Sequence, residues 1–340
     1  MRWDLYCRVV DNFGDAGVCW RLAADLAARG ETVRLWIDDA TALDWMAPRG
    51  APGVEVGSWH AAAGEAAGEV VIEAFGCDPP APFIERMAAA PRPPLWINLE
   101  YLSAEDYVER SHGLASPQQA GPGRGLTKWF YFPGFTPASG GLLREPGLAA
   151  AQASFDRGRW LAEHGIDEAP GRDLASVYCY DGAGLVPPPG LRLLLAPGAA
   201  QRQFGGLPGA TSLPWLTQPG YDCLLWSCAL NIVRGEDSFV RAQWAGVPFV
   251  WHIYPQHDGA HHAKLEAFLD HFLAGTDASF ARELRLLWRA WNGIAPVAAA
   301  AIAVWPAAAP WRAACADWRN RLLAQPDLVS RLQRFVAARS

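Results

Sequence analysis

LYCRVVDNFGDAGVCWRLAADLAARGETVRLWI, residues 5–37, is the segment whose pattern most clearly indicates the fold. Leu5–Val10 is a short apolar run, which is the pattern of a strand buried in a parallel sheet. Asp11–Gly17 is rich in turn-forming residues, and Val18–Ala28 carries apolar side chains at helical spacing. Val33–Ile37 is a second apolar run. The order strand, loop, helix, strand predicts one βαβ unit.

The rest of the chain continues this alternation. In the first half, strands are predicted at Val70–Ala74 and Leu95–Asn98, whereas residues 113–150 are rich in glycine and proline and predict long loops. Ala151–His164 predicts a connecting helix. A second series of strands is then predicted at Leu174–Tyr180, Leu191–Ala196, Leu213–Leu216, Asn231–Val233 and Pro248–Ile253, with helices between and after them. We therefore expect an α/β protein of GT-B architecture, with two Rossmann-like domains facing a central cleft. The domains are predicted at 1–150 and 151–340, with terminal helices that cross back.

Composition limits the classes of function. The net charge is −6 over 340 residues, which gives no electrostatic reason to bind nucleic acid or anionic lipid. Seven cysteines are scattered without a C-x-x-C pair, a distribution that favours reduced thiols in a cytoplasmic protein. The N-terminus lacks the pattern of a signal peptide. Prolines interrupt the uncharged stretch Gly293–Trp311, which predicts a helix and connector rather than a membrane span.

Two carboxylates, Asp11 and Asp15, follow the first predicted strand. Ligands bind at the carboxyl edge of open α/β sheets, and two acidic side chains there could act as a general base and its orienting partner. Gly14 would allow a substrate to approach closely. The structural alternative is that Asp11 ends the strand and Asp15 caps the following helix.

A second cluster lies where a later strand turns into a helix through Arg234-Gly235-Glu236-Asp237-Ser238. Backbone N–H groups at such a helix start, with the Ser238 hydroxyl and the Arg234 charge, could hold a diphosphate. Glu236 and Asp237 suit sugar hydroxyls better than phosphate. The structural alternative is a helix whose acidic first turn complements its dipole.

Aromatic and amide side chains lie near the second cluster in the predicted topology. Tyr178 and Tyr180 end one strand, and Trp215, Gln218 and Tyr221 surround the next strand-to-helix loop. A nucleobase needs a flat apolar wall and amide-like partners, which Trp215 and Gln218 could provide. In a chain with 17 tryptophans, most aromatic side chains belong to the core.

Two further groups of residues favour structural interpretations. His257, His261 and His262 have a spacing that suggests a metal, but no cysteine is near and a helix start separates them. Arg331, Arg334 and Arg339 fit the polar face of a terminal helix better than a nucleic-acid patch.

With these segments identified, the chain resembles the bacterial elongation factor P arginine rhamnosyltransferases. The resemblance spans nearly the whole chain. It rests on segments around the two carboxylates, in the middle of the first half, and at the Arg234–Ser238 turn that could hold a diphosphate. These segments are VDNFGDAGV (10–18), LWIDD (35–39), WINLEYLS (96–103), FPGFT (132–136), GGLLRE (140–145) and RGEDSFVRAQ (234–243). Asp181 and Thr217 depart from the family pattern, which has Glu and Pro there.

The resemblance implies an inverting, metal-independent enzyme without a cofactor, which transfers L-rhamnose from dTDP-β-L-rhamnose to an arginine of elongation factor P. It implies Asp15 as general base, Asp11 as a second essential carboxylate, and a first domain that binds the acceptor. The second domain would bind the donor. The donor-binding residues that it implies are Asn12, Phe13, Gly14, Tyr180, Trp215, Gln218, Tyr221, Arg234, Glu236, Asp237 and Ser238.

Two other functions stay open. A GT-B transferase could use a small-molecule or lipid acceptor, although the chain lacks the basic amphipathic surface of a membrane-associated enzyme. A non-catalytic module that binds elongation factor P or a nucleotide would keep the Ser238 cluster but would not need Asp15.

Overall fold

The structure is a computed structural model that describes residues 1–11, 13–167, 172–182, 185–188, 190–256, 259–294 and 308–339. The chain forms two compact units. Unit 1 comprises Met1–Glu145 together with Gln325–Ser340, and unit 2 comprises Pro146–Ala324. The division between the units lies five residues before the predicted boundary at 150, and the last helix belongs to unit 1.

Unit 1 contains a seven-stranded sheet in the described part of the chain, ordered β3-β2-β1-β4-β5-β7-β6. All neighbouring strands are parallel except β6 and β7, which are antiparallel. The strands are β1 Arg2–Cys7, β2 Thr32–Ile37, β3 Val54–Ser58, β4 Val70–Ala74, β5 Leu95–Leu99, β6 Ala115–Pro117 and β7 Thr127–Tyr131. Strands β6 and β7 lie in the stretch that was predicted as loop, and that prediction was wrong. The backbone of β7 pairs with β5, with Trp96 opposite Lys128.

Helices cover the sheet of unit 1 because its strands carry apolar side chains on both faces. Leu5 and Cys7 pack in one core cluster with Leu22 of the first helix, while Tyr6 packs in another with Phe83. The helices of the first 145 residues are α1 Gly14–Ala28, α2 Leu43–Met46, α3 Trp59–Ala62, α4 Ala81–Ala89 and α5 Tyr107–Ser111.

The last helix of the chain, Leu328–Ala337, packs on unit 1. Leu328, Val329, Leu332 and Val336 of this helix are buried in the same core cluster as Leu5. Polar contacts continue the attachment: Arg29 donates to Asp327 at 2.8 Å and to Ser330 at 2.7 Å. Arg331 donates to the carbonyl oxygens of Thr136, Pro137 and Ser139, so its charge stabilises an internal loop.

Unit 2 contains a five-stranded parallel sheet in the described residues, ordered β10-β9-β8-β11-β12. Its strands are β8 Leu174–Val177, β9 Arg192–Leu195, β10 Thr211–Ser212, β11 Leu230–Arg234 and β12 Phe249–His252. Its helices are α6 Leu148–Ala153, α7 Arg157–Glu163, α8 Ala199–Phe204, α9 Gln218–Ser227, α10 Asp237–Ala245, α11 Ala260–Phe272, α12 Ala278–Trp291 and α13 Ala308–Leu323. The terminal helix of unit 1 is α14. Two Rossmann-like units of this kind confirm the predicted α/β class.

Two predicted elements of unit 2 were wrong in detail. The connecting helix is two helices, α6 and α7, because the Asp156 side chain accepts the Arg159 N–H and starts a new helix. The strand predicted at Leu213–Leu216 lies earlier, at Thr211–Ser212. Leu213 still donates to Leu195 at 2.9 Å, but Pro214 has no N–H with which to extend the pairing.

All seven cysteines are free thiols, and only Cys223 among them is not fully buried. Within the described ranges, no helix has both the length and the apolar content needed to cross a membrane. The stretch Gly293–Trp311, predicted as helix and connector, lies largely outside the described residues.

Candidate functional site

In unit 1, the strand order reverses between β1 and β4, which is the point where open α/β sheets bind ligands. The chain leaving β1 forms the loop that carries Asp11 and then enters α1, where Asp15 lies in the first turn. The predicted carboxylate pair therefore lies at the switch point of the sheet.

The Asp15 carboxylate is tied into this loop rather than capping the helix. Its Oδ2 accepts the N–H groups of Val10 and Asp11, each at 2.8 Å, and the nearby Tyr101 hydroxyl lowers the pKa of this carboxyl group. Phe13 occupies the N-cap position of α1, and its side chain makes no capping hydrogen bond. Asp15 is 2% exposed, and burial raises its pKa in spite of these hydrogen bonds. A carboxylate with a raised pKa is a stronger base than an ordinary aspartate.

Asp11 lies over the start of α1, where Gly14 has no side chain. A Cβ placed on Gly14 would lie 2.9 Å from Asp11 Oδ2, closer than such atoms approach. Gly14 also donates its N–H to the Asp11 carbonyl at 2.7 Å. Phe13 packs edge-on against Trp45 with ring centroids 5.4 Å apart. Asn12, predicted to bind the donor, lies outside the described residues.

Two aromatic residues near Asp15 were missed as site residues by the sequence reasoning. Phe75 follows β4, Tyr101 follows β5, and their rings stack at 4.2 Å with an interplanar angle of 11°. Tyr101 appeared only within the WINLEYLS segment, and no pattern in the sequence marked Phe75. The signal for both is topological, since each follows a strand at the same sheet edge as Asp15.

In unit 2, the strand order reverses between β8 and β11. Tyr178 and Tyr180 follow β8, and Arg234 ends β11 immediately before the turn into α10. The structure thus brings together at one switch point two groups of residues that are more than 50 positions apart in the sequence.

Arg234 is held by the two tyrosines. Its guanidinium carbon lies 4.3 Å from the Tyr178 ring centroid and 4.7 Å from that of Tyr180. Its Nη2 donates to the Tyr178 hydroxyl at 3.0 Å. Cation–π contacts with two rings and a directed hydrogen bond fix the orientation of the cation, which suits it to an anionic ligand.

The helix start after Arg234 contains the three acidic or hydroxyl residues of the predicted cluster. Ser238 is 5% exposed; its hydroxyl accepts the Arg234 N–H at 3.1 Å and also donates to the Arg234 carbonyl. Ser238 therefore closes the turn in this structure. Glu236 is at the N-cap position without a side-chain capping bond, and both it and Asp237 are half-buried.

The remaining predicted donor residues lie on or before α9. Thr217 caps this helix by accepting the Gly220 N–H, so the departure from the family's proline has a structural use. Gln218 is buried and its Nε2 donates to Asp237 at 3.3 Å, which links α9 to α10. Trp215 is 41% exposed, as a wall for a ligand requires, and Tyr221 packs edge-on against Tyr178 at 5.9 Å.

His252, at the end of β12, supports Tyr180 and was not predicted. Its Nδ1 accepts the Tyr180 N–H at 3.3 Å, and the two rings pack edge-on at 5.3 Å. Burial, together with the nearby Arg234 charge, lowers the pKa of His252 to about 4. The imidazole is therefore neutral at physiological pH and can accept this hydrogen bond.

Two sets of residues set aside in the sequence remain outside the candidate site. Across the described ranges, no group of three His, Cys, Asp or Glu side chains is arranged to hold a metal ion. His261 and His262 lie in the first turn of α11, whereas His257 is outside the described residues. Arg331, of the basic set, serves the internal loop of unit 1.

Comparison with known proteins gives the family. Residues 3–187 and 197–337 match the family described as Elongation-Factor P (EF-P) rhamnosyltransferase EarP. A protein-arginine rhamnosyltransferase of Pseudomonas putida is 44% identical, with 98% of each chain covered.

Two solved structures share the fold of this chain. One, described as the structural basis for EarP-mediated arginine glycosylation of translation elongation factor EF-P, has a TM-score of 0.65 at 31% identity and covers 100% of this chain and 99% of its own. The spinosyn rhamnosyltransferase SpnG, at 14% identity, 98% and 99% coverage and a TM-score of 0.53, shares the fold. The chain therefore belongs to the EarP family of elongation factor P rhamnosyltransferases and is a glycosyltransferase of the GT-B fold.

Proposed function

We propose that this protein transfers L-rhamnose from dTDP-β-L-rhamnose to the guanidinium of an arginine in elongation factor P, with inversion at the anomeric carbon. The observation that carries the proposal is the Asp15 carboxylate, which is buried at the switch point of unit 1 and oriented by two backbone N–H groups. The names of the relatives support the sugar and the acceptor class.

Asp15 acts as the general base in this proposal. An arginine side chain stays protonated in solution, so one N–H proton must be removed as its nitrogen attacks. The nitrogen forms a bond to the anomeric carbon, the bond from that carbon to the diphosphate oxygen breaks, and the proton goes to Asp15. The raised pKa of Asp15 favours its acceptance of the proton. Asp11 holds the guanidinium through paired hydrogen bonds.

Unit 2 binds the donor. Arg234 and the N–H groups at the start of α10 stabilise the negative charge that develops on the departing diphosphate, without a requirement for a metal. Trp215 forms a flat wall for the thymine, and Tyr180, Gln218 and Tyr221 complete the nucleoside site. Glu236 and Asp237 bind sugar hydroxyls.

The test is intact mass spectrometry of purified elongation factor P after incubation with this protein and dTDP-L-rhamnose. We expect a gain of one deoxyhexose on an arginine with the wild type and none with Asp15→Asn. Asp44→Asn, which changes an exposed carboxylate in the same unit, is the matched control and should retain the transfer.

Each other outcome contradicts a specific part of the proposal. If the wild type hydrolyses the donor or glycosylates small molecules but leaves elongation factor P unchanged, the acceptor is wrong. If the Asp15→Asn variant transfers at the wild-type rate, the base is wrong.

A further inference from the structure

The Phe75–Tyr101 pair beside Asp15 carries an inference that deepens the proposed function and rests on it. Both residues lie at the carboxyl edge of the unit 1 sheet: Phe75 follows β4, which is next to β1, and Tyr101 follows β5, the next strand along. Neither has a part in the transfer as proposed for Asp15 and Asp11.

Phe75 has an unusual backbone. Its φ is +60°, in the left-handed region that bulky residues rarely adopt, and Gly76 follows with a φ of +65°. The end of β5 holds this turn in place: Phe75 donates to the Leu99 carbonyl at 2.6 Å and Gly76 donates to Asn98 Oδ1 at 3.0 Å. Strained conformations that neighbouring bonds enforce concentrate at functional sites.

The result of this turn is a supported aromatic surface. The Phe75 ring stacks on Tyr101 at 4.2 Å and 11°, and Tyr101 still leaves 37% of its surface exposed. The hydroxyl of the same Tyr101 lowers the pKa of the Asp15 carboxyl group, as a donor near a carboxylate does. One side chain therefore joins an exposed ring to the candidate base.

We propose that Tyr101 is a positioning residue for the transfer: its hydroxyl orients the Asp15 carboxylate, and its ring, supported by Phe75, stacks against the planar guanidinium of the acceptor arginine. Guanidinium groups bind well to tyrosine faces because they are planar and weakly hydrated. Stacking would place the nitrogen that loses its proton close to the carboxylate that receives it.

The hydroxyl has an effect that can be measured separately. The Tyr101 hydroxyl favours the charged form of Asp15 and lowers its pKa, against the burial that raises it. The other groups that act on this carboxylate are the N–H groups of Val10 and Asp11 and the charge of Asp38, and the buried thiol of Cys19 also lies close. Loss of the hydroxyl should therefore move the pKa of Asp15 further upward.

The experiment measures initial rates of transfer to elongation factor P across a range of pH, with separate KM values for acceptor and donor. In Tyr101→Phe, which keeps the ring, we expect the acid limb of kcat/KM to move to higher pH. Tyr107→Phe is the matched control, because it removes a partly exposed tyrosine hydroxyl of the same unit that is not among the groups acting on Asp15. Its acid limb should coincide with that of the wild type.

The ring is tested with Phe75→Leu, in which the acceptor KM should rise roughly 3- to 30-fold while the donor KM stays unchanged. Phe75→Gly is a second variant that adopts the left-handed backbone without strain, so it keeps the test valid if the leucine variant does not fold. It should raise the acceptor KM in the same way.

The outcomes separate the two proposals. A wild type that does not modify elongation factor P contradicts the proposed function and not the role of Tyr101 alone. If the wild type modifies elongation factor P and the pH profile of kcat/KM for Tyr101→Phe superimposes on the wild-type profile, the inference about the hydroxyl is overturned. Equal changes in donor and acceptor KM in both Phe75 variants overturn the inference about the ring.

Discussion

Gly14 lies so close to the Asp11 carboxylate that a Cβ at this position would be 2.9 Å from Asp11 Oδ2. The absence of a side chain at the first position of α1 therefore decides where that carboxylate can lie. Alanine is otherwise favoured over glycine within a helix by about 1 kcal/mol, so the glycine is a cost to local stability.

Gly14→Ala should reduce activity without unfolding the protein. We expect the displaced Asp11 to lower kcat by about 10- to 100-fold, since misplacement by about 1 Å has effects of that size. The melting temperature should stay within a few degrees of the wild type. Gly147→Ala, at a position with open space around it, is the control and should leave kcat unchanged. Wild-type kcat in Gly14→Ala would mean that the position of Asp11 does not matter.

The raised pKa of Asp15 predicts the sign of a stability change with pH. The folded protein binds the Asp15 proton more tightly than the unfolded chain does. The resulting stabilisation is fully present below the ordinary carboxyl pKa and is lost as the pH rises through the raised value. In Asp15→Asn this loss is absent. As the pH rises from acidic to neutral, the free energy of unfolding of the variant, measured with urea, should therefore increase relative to that of the wild type.

Asp327 is the control for that experiment, because its shift has the opposite sign. Burial acts to raise the pKa of Asp327, but hydrogen bonds with Ser330 and the charge of Arg29 lower it below the ordinary carboxyl value. Its contribution to stability is present above the ordinary carboxyl pKa and is lost as the pH falls through the lowered value. Asp327→Asn should be less stable than the wild type at neutral pH and approach it in acid.

Arg234→Lys should weaken donor binding although it keeps the charge. Lysine has no planar guanidinium group, so it cannot reproduce the contacts of Arg234 with the faces of Tyr178 and Tyr180. It also cannot bind two phosphate oxygens in a bidentate manner. We expect the Kd for dTDP, measured by calorimetry, to rise roughly 10-fold or more, since charge-assisted hydrogen bonds contribute about 1.5–3 kcal/mol. Arg202→Lys, in an exposed ion pair with Asp181, should bind dTDP as the wild type does.

Trp215→Ala should separate base recognition from phosphate recognition. The side chain is already 41% exposed, so its removal should have little effect on thermal stability. Loss of a stacking surface should raise the Kd for dTDP about 3- to 10-fold. Binding of inorganic diphosphate should be unchanged. An equal loss for both ligands would place Trp215 outside the nucleobase site.

Asp222 and Arg241 are predicted to matter for stability. Arg241 donates twice to the Asp222 carboxylate, at 2.9 and 2.7 Å, and both side chains are buried between α9 and α10. Asp222→Asn leaves a buried charge without its counterion and should lower the free energy of unfolding by about 3–5 kcal/mol. Asp270→Asn, which breaks the pair between an exposed Asp270 and a half-buried Arg285, should cost less than about 1 kcal/mol. Similar losses in the two variants would mean that burial does not make the Asp222–Arg241 pair harder to break.

Sequence patterns predicted the central strands well because these strands are buried on both faces. Val70–Ala74 has the predicted bounds, and its neighbours differ by a few residues. Strand β1 ends at Cys7 rather than Val10, because Asp15 takes the Val10 N–H and the Val10 side chain is 64% exposed. Strand β7 was missed since it lies near the sheet edge and is only partly buried over most of its length, between glycine-rich segments.

The candidate site likewise has residues that the sequence could predict and residues that it could not. Asp11, Asp15 and the Arg234–Ser238 turn follow apolar runs directly, so their places at the sheet edges could be predicted. The stacking of Phe75 on Tyr101 could not, because it depends on a left-handed backbone at a phenylalanine. The role of His252 also depends on a tertiary contact, with Tyr180, more than 70 residues earlier in the chain.

The assignment of the terminal helix to unit 1 means that unit 2 is, in covalent terms, an insertion within unit 1. Residues 146–324 form one uninterrupted segment, whereas unit 1 is assembled from two segments that synthesis on the ribosome separates by the whole of unit 2. The core surface that receives Leu328 and Leu332 stays uncovered until Leu328–Ala337 has been synthesised. Unit 2 can thus complete its folding before the segment that completes unit 1 exists.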